Sequence, residues 1–260
     1  MNDIDLDEVR SWAREAGDIA RRHFNQGTGW RKADRSWVTD ADMAIERLLA
    51  DHIAARYPQH GIIAEELTHY GTDREFVWAI DPLDGTASYV AGLATWCVSL
   101  GLLRAGVPYL GVIYLPILDD YYWAEPASGA FRNGQAIHVA APRDWDGEDW
   151  IATPSNTHRR FELDFIGKAR SLGSVAAEFC YVARGGALGA LLSRAALWDI
   201  AAGLALLRAA GGIAAGLSGT PLDTSVMLDG RLLPEPIIIG ERSHVERLRP
   251  VIRDRRSQQS

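Results

Sequence analysis

Lysine is almost missing from this chain. Lys32 and Lys168 are its two occurrences, against 25 arginines, so a site handling phosphate here cannot rest on a lysine cluster. Cysteine also occurs twice. Cys97 and Cys180 lie inside apolar runs (TWCVSLGLL and EFCYVA), which excludes a disulfide scaffold and reads as buried free thiols in a reducing compartment. No uncharged run approaches the roughly 20 residues of a membrane span; the most apolar stretch, 185–222, is broken by Arg194, Asp199 and Arg208. The start, MNDIDLDEV, has neither the basic residues nor the apolar centre of a secretory signal. A positive balance is lacking too. Lys plus Arg is 27 and Asp plus Glu is 34, a net charge of −7, which argues against nucleic acid or an anionic membrane as partner. The expected location is cytoplasmic. Among catalytic signatures, G-x-x-x-x-G-K-[ST], H-E-x-x-H, G-x-S-x-G and C-x-x-C are all absent, and the seven histidines show no metal-ligand spacing.

What is present describes a globular chain. Apolar residues are 47% and charged residues 23% of 260, and a prior of about 150 residues per domain allows fewer than two domains. Without a fixed-period repeat, low-complexity tract or linker, residues 1–260 read as one layered α/β unit. Periodicity predicts a helix over Leu6–Phe24, with Val9, Trp12, Ala13, Ala16, Ile19 and Ala20 on one face. Gly27–Val38 reads as a loop or short hairpin. A second helix follows Thr39, marked by Ala44, Ile45, Leu48, Leu49, Ile53 and Ala54 and stopped by Pro58.

GIIAEE and FVWAIDPLDGT each read as a buried strand delivering carboxylates at its C-terminal end. Apolar runs between Trp96 and Trp123 predict a strand meander, continued by a hairpin at Asn133-Gly134. Beyond Pro142 strands and helices alternate. Helices are expected near His158–Ile166 and Val175–Ala183, from about Trp198 to Ala210, and over Ser243–Arg253, with a strand at Ile237–Gly240. GGALG from Gly185 reads as helix packing. The last 20 residues hold six arginines against three acids, which suits a solvated helix face with a frayed tail.

The chemistry lies in carboxylates. Asp81 and Asp84 directly follow FVWAI, with Pro82 and Gly85 shaping a sharp turn. Glu65 and Glu66 end the neighbouring strand, and Asp199 follows Trp198 inside the most apolar part of the chain. Like charges at buried strand ends repel and lose solvation unless something neutralises them. A hard divalent cation does so, and all-oxygen ligands suit Mg²⁺ or Mn²⁺ rather than zinc. Taken singly, each acid has a plainer explanation: Asp84 as a cap near Ala87, Glu66 as a solvated loop acid, Asp199 as an N-cap. Three separate segments doing the same favour the metal. A helix beginning at D-G-T also turns backbone N–H groups toward an anion, binding phosphate without lysine.

Glu65-Glu66, DPLDGT at 81–86 and LWDIAAG around Asp199 resemble the three signature regions of the inositol monophosphatase family. That family includes inositol monophosphatases, histidinol-phosphate phosphatases and related sugar or nucleotide phosphatases. WVTDAD upstream and AAGGIAAGLSGTPL downstream are similar too, so the resemblance runs from about Lys32 to Leu222. It implies an αβαβα sandwich, commonly homodimeric, that uses Mg²⁺-activated water to hydrolyse a small phosphate monoester. Carried over residue by residue, Glu65, Asp81 and the Leu83 carbonyl would hold a first Mg²⁺, and Asp81, Asp84 and Asp199 a second. A third, weaker ion would sit near Glu65 through water, with Mn²⁺ as a substitute metal. Thr86, paired with Asp42, would orient and help deprotonate the attacking water, with Glu65 in the same catalytic set. Gly85 and Thr86 amides would bind the phosphate, with Asp84 and Asp199 also facing the substrate.

Two positions depart from the family pattern. Ser88-Tyr89 stands where Asn-Phe is frequent, and Leu192 stands where many members carry a substrate-contacting Glu seven residues before the WD aspartate. Leucine accepts no hydrogen bond from a sugar hydroxyl and pairs with no amine, which predicts broad, mediocre activity on inositol phosphates and histidinol phosphate. Glu178 reads as a solvated helix position; the alternative is that it reaches the space Leu192 leaves apolar. Within the enzyme class the alternative function is a histidinol-phosphate phosphatase. Outside it stands an inactive regulatory or scaffolding relative, which should have lost a ligand or Thr86.

Overall fold

The structure, a computed structural model, describes residues 4–26, 29–67 and 69–258. The first part runs through α1 (Leu6–His23), the hairpin β1 (Trp30–Arg31) and β2 (Trp37–Val38), and α2 (Asp40–Arg56). Then come β3 (Gly61–Ala64), β4 (His69–Tyr70), β5 (Phe76–Asp84) and α3 (Thr86–Val90). A meander follows: β6 (Cys97–Arg104), β7 (Val107–Leu115), β8 (Asp120–Glu125), β9 (Gly129–Arg132) and β10 (Gln135–Ala136). The next elements are β11 (Trp150–Ala152), α4 (Thr157–Arg160), β12 (Phe161–Leu163), β13 (Lys168–Arg170), α5 (Val175–Ala183) and β14 (Gly189–Leu192). The chain closes with α6 (Leu197–Ala209), β15 (Ile213–Gly216), β16 (Ile237–Gly240), α7 (Arg242–Leu248) and β17 (Ile252–Asp254).

These elements stack in five layers. One sheet has eight strands in the order β10-β9-β8-β7-β6-β5-β3-β4, the other five in the order β13-β11-β14-β16-β15. Helices α1 and α2 cover one face of the larger sheet, α5 and α6 lie between the two sheets, and α7 packs outside the smaller one. This is the αβαβα order that the resemblance implies. The central helices are hydrophobic on nearly every side because both of their faces are covered. α6 approaches the larger sheet at Gly101 and Gly111, which are cross-strand partners. A Cβ on Gly101 would sit 2.6 Å from the Ala202 nitrogen, and one on Gly111 2.3 Å from the Ala202 oxygen. That close approach fixes where the N-terminus of α6, with Asp199, meets the sheet. Among the described residues no helix is long and apolar enough to cross a membrane.

Local expectations fail where distant pairing overrides them. The helix expected near His158–Ile166 is one turn, α4, followed by β12, because Phe161–Leu163 pairs antiparallel with β17 some 90 residues away. The terminal helix expected over Ser243–Arg253 stops at Leu248; Pro250 sits in a 3₁₀ turn and Ile252 enters that same pairing. GGALG ends α5, with Gly185 at φ +71°, and opens β14 rather than packing as helix. The Gly27–Val38 stretch is a hairpin from Trp30 onward, its first two residues lying outside the described set, as do residues 259–260 of the tail. Along α2, Ala44 and Ala54 are exposed, while Asp42 and Glu46 are buried.

Candidate active site

Register brings the acids together. β3 and β5 run parallel with Ala64 beside Ile80, so Glu65 and Asp81, the next residue of each segment, come side by side where β3 ends. An irregularity in the β5–β6 pairing then spends four residues of β5, Asp81 to Asp84, against three of β6, Ser99 to Cys97. Such a bulge re-aims side chains, and Pro82, which has no N–H to pair, sits within it. Gly85 follows at φ +92°; a Cβ there would lie 2.9 Å from the Gly173 oxygen, so a larger residue would push α5 away. The third segment is the start of α6.

Asp81, Asp84 and Asp199 each place a carboxylate oxygen within 4.8 Å of the others. Among the described residues, no Lys, Arg or His pairs with any of the three. Asp199 sits at the third position of α6, whose N-cap is Ala196, and its carboxylate accepts the Ala196 N–H at 2.7 Å, a capping contact made from inside the first turn. Asp84 caps a helix too, though not the one beginning near Ala87. Its carboxylate accepts from Ser174 Oγ (2.5 Å), the Ala176 N–H (2.6 Å) and the Val175 N–H (3.2 Å) at the start of α5. Burial, then neighbouring carboxylate charge, pushes Asp81 and Asp199 well above the ordinary carboxylate range. Burial likewise lifts Asp84 to about 6, against the opposing pull of its donors.

Beside this cluster lies a hydroxyl–carboxylate pair. Thr86 Oγ lies 3.2 Å from Asp42 Oδ1 and 3.1 Å from the Leu83 carbonyl. Asp42 is fully buried in the first turn of α2, where it closes a capping box with Thr39. Burial raises it to about 6. Glu65 stands apart from the three-oxygen group, bound at 3.1 Å by Lys32 from the β1–β2 hairpin; the same ammonium holds Glu66 at 2.5 Å. Glu66 is therefore not a solvated loop acid; burial lifts it to about 7. Buried Glu46 accepts the Glu66 and Leu67 amides, both at 2.6 Å, and so secures this loop.

The sequence profile of the inositol monophosphatase family matches residues 5–254. The chain belongs to this family. A fructose-1,6-bisphosphatase/inositol-1-monophosphatase from Aquifex aeolicus is 32% identical over 209 residues, covering 76% of this chain and 79% of that protein. A Nus factor SuhB from Salmonella typhimurium is 33% identical over 222 residues, covering 80% of this chain and 83% of that one. Among solved structures, the Thermotoga maritima IMPase superposes with a TM-score of 0.82 at 28% identity, covering 95% of each chain.

For an inositol monophosphatase family site, the donor set fits a hard cation: buried oxygens, raised toward protonation by burial and then by neighbouring carboxylate charge, with no basic side chain paired to the three aspartates. Reasoning from the sequence missed Lys32, Glu46, Ser174 and the placement of Glu178. Lys32 had a usable signal, being one of two lysines in the chain. Glu178 is 4% exposed rather than solvated. It lines a cavity of about 210 Å³ together with Asp84, Ser174, Leu192 and Arg194.

Ser174 is where cap and site meet, since its hydroxyl also receives the Ala177 N–H at 3.1 Å. With the three aspartates taken as Mg²⁺ ligands, Ser174→Ala should raise the Mg²⁺ concentration for half-maximal activity by about tenfold, the scale of lost outer partners. The lost cap should cost about 1 kcal/mol of stability. Ser174→Thr should restore both. Metal titration of activity and thermal melts of the three proteins decide it.

The raised carboxylates also predict a pH dependence. Their folded values lie above the unfolded ones, so the folded state holds protons that the unfolded chain has released. Stability in chelator should therefore fall as pH rises from about 5 to about 7. A divalent cation held by these carboxylates would displace those protons, so a stabilising increment from added Mg²⁺ should grow over the same range. Melting curves with and without Mg²⁺ measure both; a pH-independent increment would count against carboxylate coordination.

Proposed function

We propose that this chain is a Mg²⁺-dependent phosphomonoesterase acting on a small phosphorylated metabolite. The observation that carries the reading is the convergence of Asp81, Asp84 and Asp199 within 4.8 Å beside the Thr86–Asp42 pair. In this reading Glu65, Asp81 and the Leu83 carbonyl hold one ion, and Asp81, Asp84 and Asp199 a second. Bound Mg²⁺ supplies charge neutralisation for the ester and acidifies water.

The chain's own residues do the rest. Thr86 Oγ accepts a hydrogen bond from the attacking water while donating to Asp42 Oδ1, and buried Asp42 takes up the proton that the hydroxyl relays. The Gly85 and Thr86 amides orient the phosphate oxygens. Lys32, tied to Glu65 and Glu66, holds the loop after β3 against the cluster and compensates its charge on the exposed side.

A regulatory or scaffolding reading draws support from relatives called Nus factor SuhB. The intact set of acids and the Thr86–Asp42 pair favour turnover. Phosphate release from inositol 1-phosphate, histidinol phosphate and several sugar and nucleotide monophosphates, with Mg²⁺ and with chelator, tests the proposal. Release that depends on Mg²⁺ is expected; none from any ester would sink it.

A further inference from the structure

A cavity of about 370 Å³ lies beside the C-terminal half of α6, at the far end of that helix from Asp199. Leu204 and Leu207 of α6 form one wall, Val107 and Pro108 at the start of β7 a second, and Ala214 and Leu222 a third. None of the acid cluster lines it. Asp199 and Arg208 are nine residues apart on α6, about 14 Å at 1.5 Å per residue. The mouth is apolar too, since Val107 is 50% exposed.

The polar groups on the lining are accounted for, with one exception. Thr224 Oγ donates to the Gly106 carbonyl at 2.6 Å. Asp223 accepts the Ser225 N–H at 2.9 Å and the Ser225 hydroxyl at 2.6 Å, and these donors hold it below the ordinary carboxylate range. Arg208 is the exception. It is exposed at the rim, in the last turn of α6, and among the described residues its guanidinium has no hydrogen bond, ion pair or ring partner. Arg132, Arg143 and Arg160 by contrast each hold an aspartate. A neighbouring cavity of about 500 Å³ shares Pro108 and Arg208 and carries Glu125, so the free guanidinium stands between two concavities.

Apolar walls with a single placed polar group are the pattern of a small-molecule site. A guanidinium fork matches a carboxylate with two parallel hydrogen bonds. A phosphate dianion would bring a second negative charge toward Asp223 and Glu125, which disfavours it. The volume equals roughly twelve waters at about 30 Å³ each, room for a chain of about eight to ten carbons. We propose that this cavity binds a medium-chain aliphatic carboxylate, with its tail against Leu204, Leu207 and Leu222 and its head on Arg208. The site stands apart from the phosphatase chemistry and does not depend on it.

Calorimetric titration with octanoate tests this, in chelator so that no metal draws the carboxylate to the acid cluster. Octanoate should bind about tenfold more tightly than hexanoate, the effect of burying two more methylenes. The gain should stop by dodecanoate, whose tail exceeds the cavity. Octan-1-ol and octylammonium should bind at least about fivefold more weakly than octanoate, because neither pairs with a guanidinium. Arg208→Gln should bring octanoate down to the level of octan-1-ol. Ala214 lies on the face of β15 that packs with α6, so Ala214→Phe should fill the cavity and abolish binding of both; melting curves establish that each variant folds. No octanoate binding, or binding that strengthens steadily through dodecanoate as adsorption would, overturns the site. Equal affinity for octan-1-ol overturns the carboxylate assignment, and octanoate affinity unchanged in Arg208→Gln overturns the role of Arg208. Sedimentation with and without octanoate completes the test: octanoate that binds by displacing a second copy of the chain would make the cavity a subunit contact and overturn the small-ligand reading.

Discussion

Asp199→Asn should lower turnover by more than about a hundredfold, because it removes one anionic oxygen from a set whose charge holds the metal. In chelator the same variant should melt at an equal or higher temperature than the wild type. Its Oδ can still accept the Ala196 N–H, while repulsion among three buried carboxylates falls. Asp84→Asn should lose as much activity without that gain in stability. Both Asp84 oxygens accept hydrogen bonds from α5, so an amide NH₂ would face a donor. Steady-state kinetics at saturating Mg²⁺ and melts in chelator separate the two. Near wild-type turnover in either variant would contradict the proposed ligand set.

Thr86→Ala should reduce kcat by about a hundredfold or more, within the range that positioned proton transfer contributes, and change KM much less. The hydroxyl touches Asp42 and the Leu83 carbonyl, and in the proposed chemistry it works on water, not on the ester. Thr86→Ser should keep most of the rate because the oxygen remains. A large rise in KM at constant kcat would make Thr86 a binding residue instead.

Much of the site was legible before any fold was known. A buried apolar strand ending in DPLDGT needs its carboxylates neutralised whatever surrounds it, and the motif is specific enough to name the family. Glu65-Glu66 after GIIA and WD at the start of α6 pose the same charge problem, though WD alone is a weak family signal. Lys32 was less visible because its hairpin has no periodicity, and its partners lie 33 and 34 residues away. Glu178 was misplaced because a helical acid between apolar neighbours reads as solvent-facing, whereas α5 is covered on both sides.

The sequence by itself determined the helices α1, α2, α5 and α6, the strand that carries the aspartates, and the chemistry of the donor set. Those depend on local periodicity, turn residues and charge, which act over a few positions. Tertiary structure decided the rest. It joined β12 to β17 across 90 residues, let α6 close onto the sheet over Gly101 and Gly111, and turned Asp84 into a cap for α5. Each is a contact between segments far apart in the chain, whose free energy comes from burial and hydrogen bonds that no short window of sequence contains.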